Sequence, residues 1–308
     1  MVQLTLRPHT QMLSGTTSPW APTQLPTSWV FRENVSRLRV DVLTSVFVQV
    51  GANSHRIGPD GNLWVVDMGA AKQSTITSPE AVKVVSINIT TNTVSRVYGF
   101  GNATDYKSHL DDIRFHTSTG KAYLTDAGSP GLIVLDLASG DTRRVLNNDF
   151  STGSTLPVSA EGHFLYTNGE PAFTYADQLE VTPDGKWLDY QPSSGFMNRI
   201  QTQYLDDAFY DSSMNDNAIL DQHVQPFAPT PSTGGTAIDA DGNIYYSDVD
   251  SARILKILPN GTVTTLVQDP RLTWIDAMWI DSNQTLWMPN PQLYAGTQYV
   301  EPNLELVM

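Results

Sequence analysis

Asn53, Asp112, Asp177 and Asp276 are four oxygen-bearing side chains that share one register in this sequence. Each precedes by eight residues the same point of a recurring cassette, at Gly61, Gly120, Gly185 and Gln284, and Gly234 holds the equivalent place before Gly242. One structural position is therefore acidic or amide in four of five units. Brought together, such groups make the floor of a polar pocket, a general acid or base, or a site for a hard cation such as Ca2+ or Mg2+. The plainer alternative is that they satisfy strand backbone and buried water. Asp177 and Asp276 are the catalytic candidates, with His55, two residues after Asn53, as a third proton-transfer group. Asn53 and Asp112 are assigned to substrate binding. So are Phe173 and Tyr175, which precede Asp177, and Trp274, which precedes Asp276. An aromatic wall beside polar groups suits an apolar, oxygenated molecule. Phe196 and Met197, with Tyr204, are expected at the rim.

The cassettes that position these residues read Pro59-Asp60-Gly61-Asn62-Leu63-Trp64-Val65-Val66-Asp67, Ser118–Asp126, Pro183–Tyr190 and Ala240–Asp248, with a degenerate copy at Asp281–Met288. Each is a tight turn followed by an alternating apolar strand. Spacings of roughly 40–65 residues, each holding a few strands, indicate a β-propeller. The first, second and fourth units each show four strand-like runs, joined by turns such as Leu258-Pro259-Asn260-Gly261-Thr262. The third is irregular, and Arg199–Asp216 reads as a short helix or loop. The expected fold is all-β, a six-bladed β-propeller forming one domain over 1–308, with an extended N-terminal segment over 1–27. Strands at Trp29–Phe31 and Val46–Val50 are expected to pair with Leu304–Met308, closing the ring and removing its edge. Inner strands surround the axis, so the shared register falls at one mouth of the channel.

Composition narrows the chemistry. There is no cysteine, which excludes thiol catalysis, disulfides and Cys-ligated zinc. A net charge of −14 disfavours nucleic acid and anionic membrane surfaces as partners. No run approaches the length of a membrane-spanning helix. Neither an H-E-x-x-H nor a G-x-S-x-G sequence is present, and no Gly-rich phosphate loop follows a strand. Residues 1–26 lack the apolar core of a secretory signal. The N-x-Ser/Thr sequons at Asn34, Asn88, Asn102, Asn260 and Asn283 favour a secreted, glycosylated protein, with the cytoplasm as the alternative.

The stretches at 56–69, 121–136 and 234–246, including Gly58-Pro59-Asp60-Gly61-Asn62-Leu63-Trp64-Val65-Val66-Asp67 and Gly131-Leu132-Ile133-Val134-Leu135-Asp136, resemble the major royal jelly/yellow family. That family belongs with the gluconolactonase-like six-bladed propellers, and the resemblance runs over about residues 45–295. It implies the fold. Among activities it admits lactonases, phosphotriesterases and binding proteins. Some propellers of this general kind, encoded in fungal biosynthetic clusters, act as hetero-Diels–Alder catalysts, and the chain resembles these in outline. By resemblance to metal-dependent lactonases, a cation would be held at Asn53, Asp112 and Asp177. The lactonases carry an Asp where this chain has Gly234, which removes a ligand and a base.

The reading that follows is a small-molecule enzyme of specialised metabolism. It acts on a hydrophobic, oxygenated substrate in the central pocket without a redox cofactor, and the reaction is a cyclisation such as a hetero-Diels–Alder cycloaddition, an isomerisation or a dehydration. The alternatives are a non-catalytic small-molecule binding protein and a metal-dependent lactonase with Ca2+ or Mg2+ at the channel mouth.

Overall fold

The computed structural model of the protein describes residues 2–5, 30–31, 51–70, 81–291 and 293. Strands dominate, gathered among the described residues into five four-stranded antiparallel sheets and two short hairpins. Sheet I contains Ala52–Ile57, Leu63–Asp67, Lys83–Asn88 and Thr93–Gly99. Sheet II contains Leu110–His116, Lys121–Asp126, Leu132–Asp136 and Thr142–Val145. Sheet III contains Ala176–Val181, Trp187–Pro192, Met197–Gln201 and Gln225–Ala228. Sheet IV contains Thr236–Ile238, Ile244–Asp248, Arg253–Ile257 and Val263–Gln268. Sheet V joins Trp279–Ile280 and Thr285–Met288 to Val2–Thr5 and Val30–Phe31. The first strands of sheets I to V lie side by side in order, so they line a common interior, as in a propeller. Apolar clusters fill the spaces between I and II, between II and III, and among III, IV and V.

The cassette has a conformational cause. Gly61, Gly120, Gly185 and Gly242 all adopt positive φ, between 67° and 81°, where a side chain is disfavoured. In the degenerate copy Gln284 is held at φ 59°. Gln284→Gly is therefore expected to raise stability by about 1 kcal/mol, read as a shift in the thermal unfolding midpoint. Acids in or just before the turn act equally locally. Asp60 accepts from the Trp64 indole and Asp281 from the Trp287 indole, both at 2.9 Å, and Asp239 accepts from the Tyr245 hydroxyl at 2.9 Å.

The acid that ends the cassette is a buried strap. Asp126 is fully buried and accepts backbone N–H groups from His109, Gly128 and Ser129, while Arg144 pairs with it at 2.9 Å. Asp67 repeats this with Gly51, Gly69 and Lys83, and Asp248 with Asp250, Ser251 and Arg253. In sheets I and II each carboxylate ties the start of the first strand to the turn after the second, and so fixes where the first strand enters the channel.

Val2–Thr5, placed by sequence in an extended segment, pairs with Thr285–Met288, and Val30–Phe31 pairs with Val2–Thr5. Backbone pairing there joins N-terminal strands to the fifth sheet. Val46–Val50 and Leu304–Met308 lie outside the described residues. The irregular third unit holds a helix over Thr202–Tyr210, which buries Leu205, Ala208 and Phe209 between sheets II and III. Among the described residues no helix is long and apolar enough to cross a membrane.

Candidate functional site

The first strands of sheets I, II and III each break register near their start. The breaks fall between Ala52 and His55, between Leu110 and Ile113, and between Ala176 and Gln178. At such a bulge extra residues oppose fewer partners, which re-aims side chains that strict alternation would send to opposite faces. In sheet II the break carries two successive carboxylates, Asp111 and Asp112, and they serve two layers of the channel.

The upper layer is acidic. Asn53 Nδ2 donates to Asp111 Oδ1 at 2.6 Å, and Asp111 is hydrogen-bonded to Asp177. Asp177 also accepts from Gln178 Nε2 at 2.5 Å and from the Ser193 hydroxyl. Burial, and then the charges of Asp177, Asp112 and Asp276, push Asp111 well above the ordinary carboxylate range. Burial also raises Asp177, against the hydrogen bonds from Ser193 and Asp111. Of the pair Asp111 is raised the further, because the hydrogen bonds from Ser193 and Asp111 offset the burial of Asp177. Asp276 is raised to about 7 by burial and by Asp177, although the Ala277 backbone and the Trp274 side chain hydrogen-bond it. His109 borders the same layer, and burial lowers its pKa against the charges of Asp177 and Asp126.

The lower layer is an ion-pair belt. Arg114, 6% exposed, gives Nε and Nη2 to the two oxygens of Glu180 at 2.7 and 2.8 Å, and Nη1 to Asp112 at 2.5 Å. Arg56 Nη2 reaches Asp112 at 3.1 Å, and Thr236 Oγ1 donates to Glu180 at 2.8 Å. Burial alone would raise Asp112, but Arg114 and Arg56 hold it far below the usual range.

Of the sequence candidates, the structure brings Asn53, Asp177 and Asp276 together at the upper layer. Asp112 is corrected: it turns into the arginine belt, and Asp111, one residue earlier, takes the ring position. The repeat alignment missed Asp111 because alternation assigns neighbours to opposite faces, and only the bulge overrides it. His55 is exposed on sheet I. Tyr175 is half-buried and its backbone N–H donates to Ala127 O at 3.0 Å. Phe173 is exposed. Met197 is not at a rim but 1% exposed in the core among sheets III, IV and V. Phe196 is exposed beside a different cavity, lined by Tyr246, Arg253 and Leu255. Phe196 precedes the strand that begins at Met197, so it stays outside the sheet while Met197 enters the core.

Trp274 is buried, packed against Val158, Leu165 and Val249. It accounts for the glycine in the fourth unit. A Cβ on Gly234 would stand 2.7 Å from Trp274 Nε1 and 2.6 Å from Ile275 O. Gly234 and Asp276 are also joined by a parallel backbone bridge. Gly234→Ala is expected to lower stability by about 1–3 kcal/mol in thermal or urea unfolding, because the contact includes backbone that cannot rotate away.

Asp276 gives a pH signature. Its folded pKa, about 7, lies above that of an unfolded Asp, so the folded state binds the extra proton. Its contribution is neutral below about pH 4, turns unfavourable as pH rises towards 7, and is constant above that. Asp276→Asn is expected to raise the unfolding midpoint at pH 8 and to lose that advantage at pH 4.

The lactonase resemblance implies a divalent cation at this layer, and the residues do not fit one as arranged. Asp112 is matched by two guanidinium groups, Asp111 and Asp177 bond to each other, and the Trp274 indole occupies the room at Gly234. Among the described residues no three His, Asp or Glu side chains are grouped to hold a metal ion.

The fold and the channel define an all-β, propeller-type protein with a carboxyl-lined mouth above an arginine belt. The Major royal jelly protein family model matches residues 50–299, and the chain belongs to that family. No curated protein matches it. Among solved structures it is similar to virginiamycin B lyase from Staphylococcus aureus, at 10% identity and a TM-score of 0.51, over 78% of this chain and 64% of that one. The chain thus spans just under two thirds of that lyase's length, and the likeness concerns the fold. A gluconolactonase from Xanthomonas campestris aligns at 12% identity and a TM-score of 0.49, over 77% of this chain and 72% of that one.

Proposed function

We propose that the protein is a small-molecule enzyme of specialised metabolism that works by proton placement at the acidic mouth of a closed, six-bladed, single-domain propeller. The observation that carries this is the hydrogen bond between Asp111 and Asp177, both raised above the ordinary carboxylate range, beside Asp276, whose pKa is about 7. A general acid works best when its pKa lies near the working pH, and three carboxyl groups buried together keep protons available there. Asp111 donates to an oxygen of the substrate and stabilises charge developing on it, while Asp177 or His109 accepts a proton. Substrate carbonyl or enol oxygens fit such donors. An isomerisation, a dehydration or a hetero-Diels–Alder cyclisation each needs that hydrogen bond together with alignment of the reacting atoms, and none needs a redox cofactor.

The setting proposed is a secreted glycoprotein, consistent with the exposure of Asn102, Asn260 and Asn283. The experiment is native mass spectrometry of the protein after incubation with an extract of its source, with and without chelator, alongside product analysis. Conversion of a bound hydrophobic, oxygenated compound that is indifferent to chelator supports the reading. A compound retained unchanged makes the protein a binder, and conversion abolished by chelator makes it a metal-dependent enzyme such as a lactonase. Either result overturns the proposal.

A further inference from the structure

We propose that the end of the channel opposite the acidic mouth is a second ligand site, for a small carboxylate with an apolar body. A cavity of about 220 Å3 lies there, with Arg56, Arg114 and Glu180 at its base and Phe115, Ile238 and Trp279 among its walls. The charges at its base are unevenly shared. Arg114 spends its donors on both oxygens of Glu180 and on Asp112. Arg56 has one side-chain contact, the 3.1 Å bond to Asp112, an acid that Arg114 holds at 2.5 Å. The Nε of Arg56 is buried with no hydrogen-bond partner. An unpartnered buried donor on a charged group is costly, and an anion brought against the Arg56 guanidinium would offset that cost. Burial and the neighbouring Arg114 both lower the pKa of Arg56, which is the electrostatic mark of a cation short of negative charge.

The ligand chemistry follows from the surroundings. A guanidinium presents parallel N–H groups that match a carboxylate. Asp112 and Glu180 stand close by, so a dianion such as phosphate meets repulsion that a monoanion largely escapes. The rim is apolar, and Ile57 and Trp279, 44% and 43% exposed, leave apolar surface there for the body of a ligand. A single aromatic ring bearing a carboxylate fits both the volume and the walls.

The test is isothermal titration of the whole protein with phenylacetate, phenylacetamide and benzylamine, and it does not depend on any catalytic reading of the other mouth. The expected result is saturable binding of phenylacetate, at least tenfold tighter than that of the amide, and none of the amine. Arg56→Gln removes it, and Arg56→Lys restores part of it. Trp279→Ala, at an exposed side chain that the fold does not need, weakens it several-fold. Asp111→Asn leaves it unchanged. Equal binding of acid and amide, no binding of either, or loss of binding in Asp111→Asn but not in Arg56→Gln overturns the proposal. Failure of the acid–base enzyme reading would show instead as unchanged turnover in Asp111→Asn, with phenylacetate affinity unaffected.

Discussion

Asp111→Asn is expected to lower turnover by about 10²- to 10⁴-fold while leaving the fold intact, the range a positioned proton-transfer group supplies. The substitution is nearly silent in shape. The asparagine oxygen can still accept from Asn53 Nδ2, and its amide can still donate to Asp177, so both contacts of Asp111 survive. What disappears is the exchangeable proton. The variant also removes an acid that burial and three neighbouring carboxylates hold above the ordinary range. The folded state of the natural protein binds that proton more tightly than the unfolded chain, so the site destabilises increasingly as pH rises. Asp111→Asn is therefore expected to unfold at a higher temperature than the natural protein at pH 8, with the difference vanishing in acid. A less active but more stable enzyme is the signature of a site where function opposes stability. Turnover of the compound identified by mass spectrometry, and melting at pH 4 and pH 8, are the two readouts. Undiminished turnover would remove Asp111 from the chemistry.

Arg114→Met is expected to cost about 3–5 kcal/mol, the largest loss at any single position of the channel, because it strands a buried acid. Glu180 is 1% exposed, and without Arg114 its hydrogen-bond donor among the described residues is the Thr236 hydroxyl, while Arg56 acts on it through space without a hydrogen bond. Asp112 retains Arg56. The loss is a property of the uncompensated charge rather than of missing volume, since methionine fills much of the same space. A double variant measured in urea unfolding separates these causes. Arg114→Met/Glu180→Gln should be more stable than Arg114→Met alone, by a coupling of about 0.5–3 kcal/mol. A double variant no more stable than Arg114→Met would assign the cost to packing. The belt also separates the two ends of the channel, so its integrity bears on both proposed sites.

The sequence by itself determined the repeat and much of its local cause. Glycines spaced at roughly 40–65 residues mark the turns because those positions need positive φ, a requirement local to each turn. The alternating runs gave the strands for the same reason, since a strand with one buried face must alternate. The register argument also reached Asn53, Asp177 and Asp276, because equivalent places in repeated units meet at one axis. The tertiary structure alone decided three matters. It chose Asp111 over Asp112, since a register break, not side-chain type, sets which carboxylate faces which layer. It buried Trp274 over Gly234, a contact between neighbouring sheets that no local pattern encodes. And it assembled the arginine belt from Arg56, Arg114 and Glu180, which stand far apart in sequence and meet only because the first strands of three sheets lie side by side. The raised pKa values followed from that assembly: burial and the company of other carboxylates, not residue identity, moved Asp111 well above the ordinary carboxylate range and Asp276 to about 7.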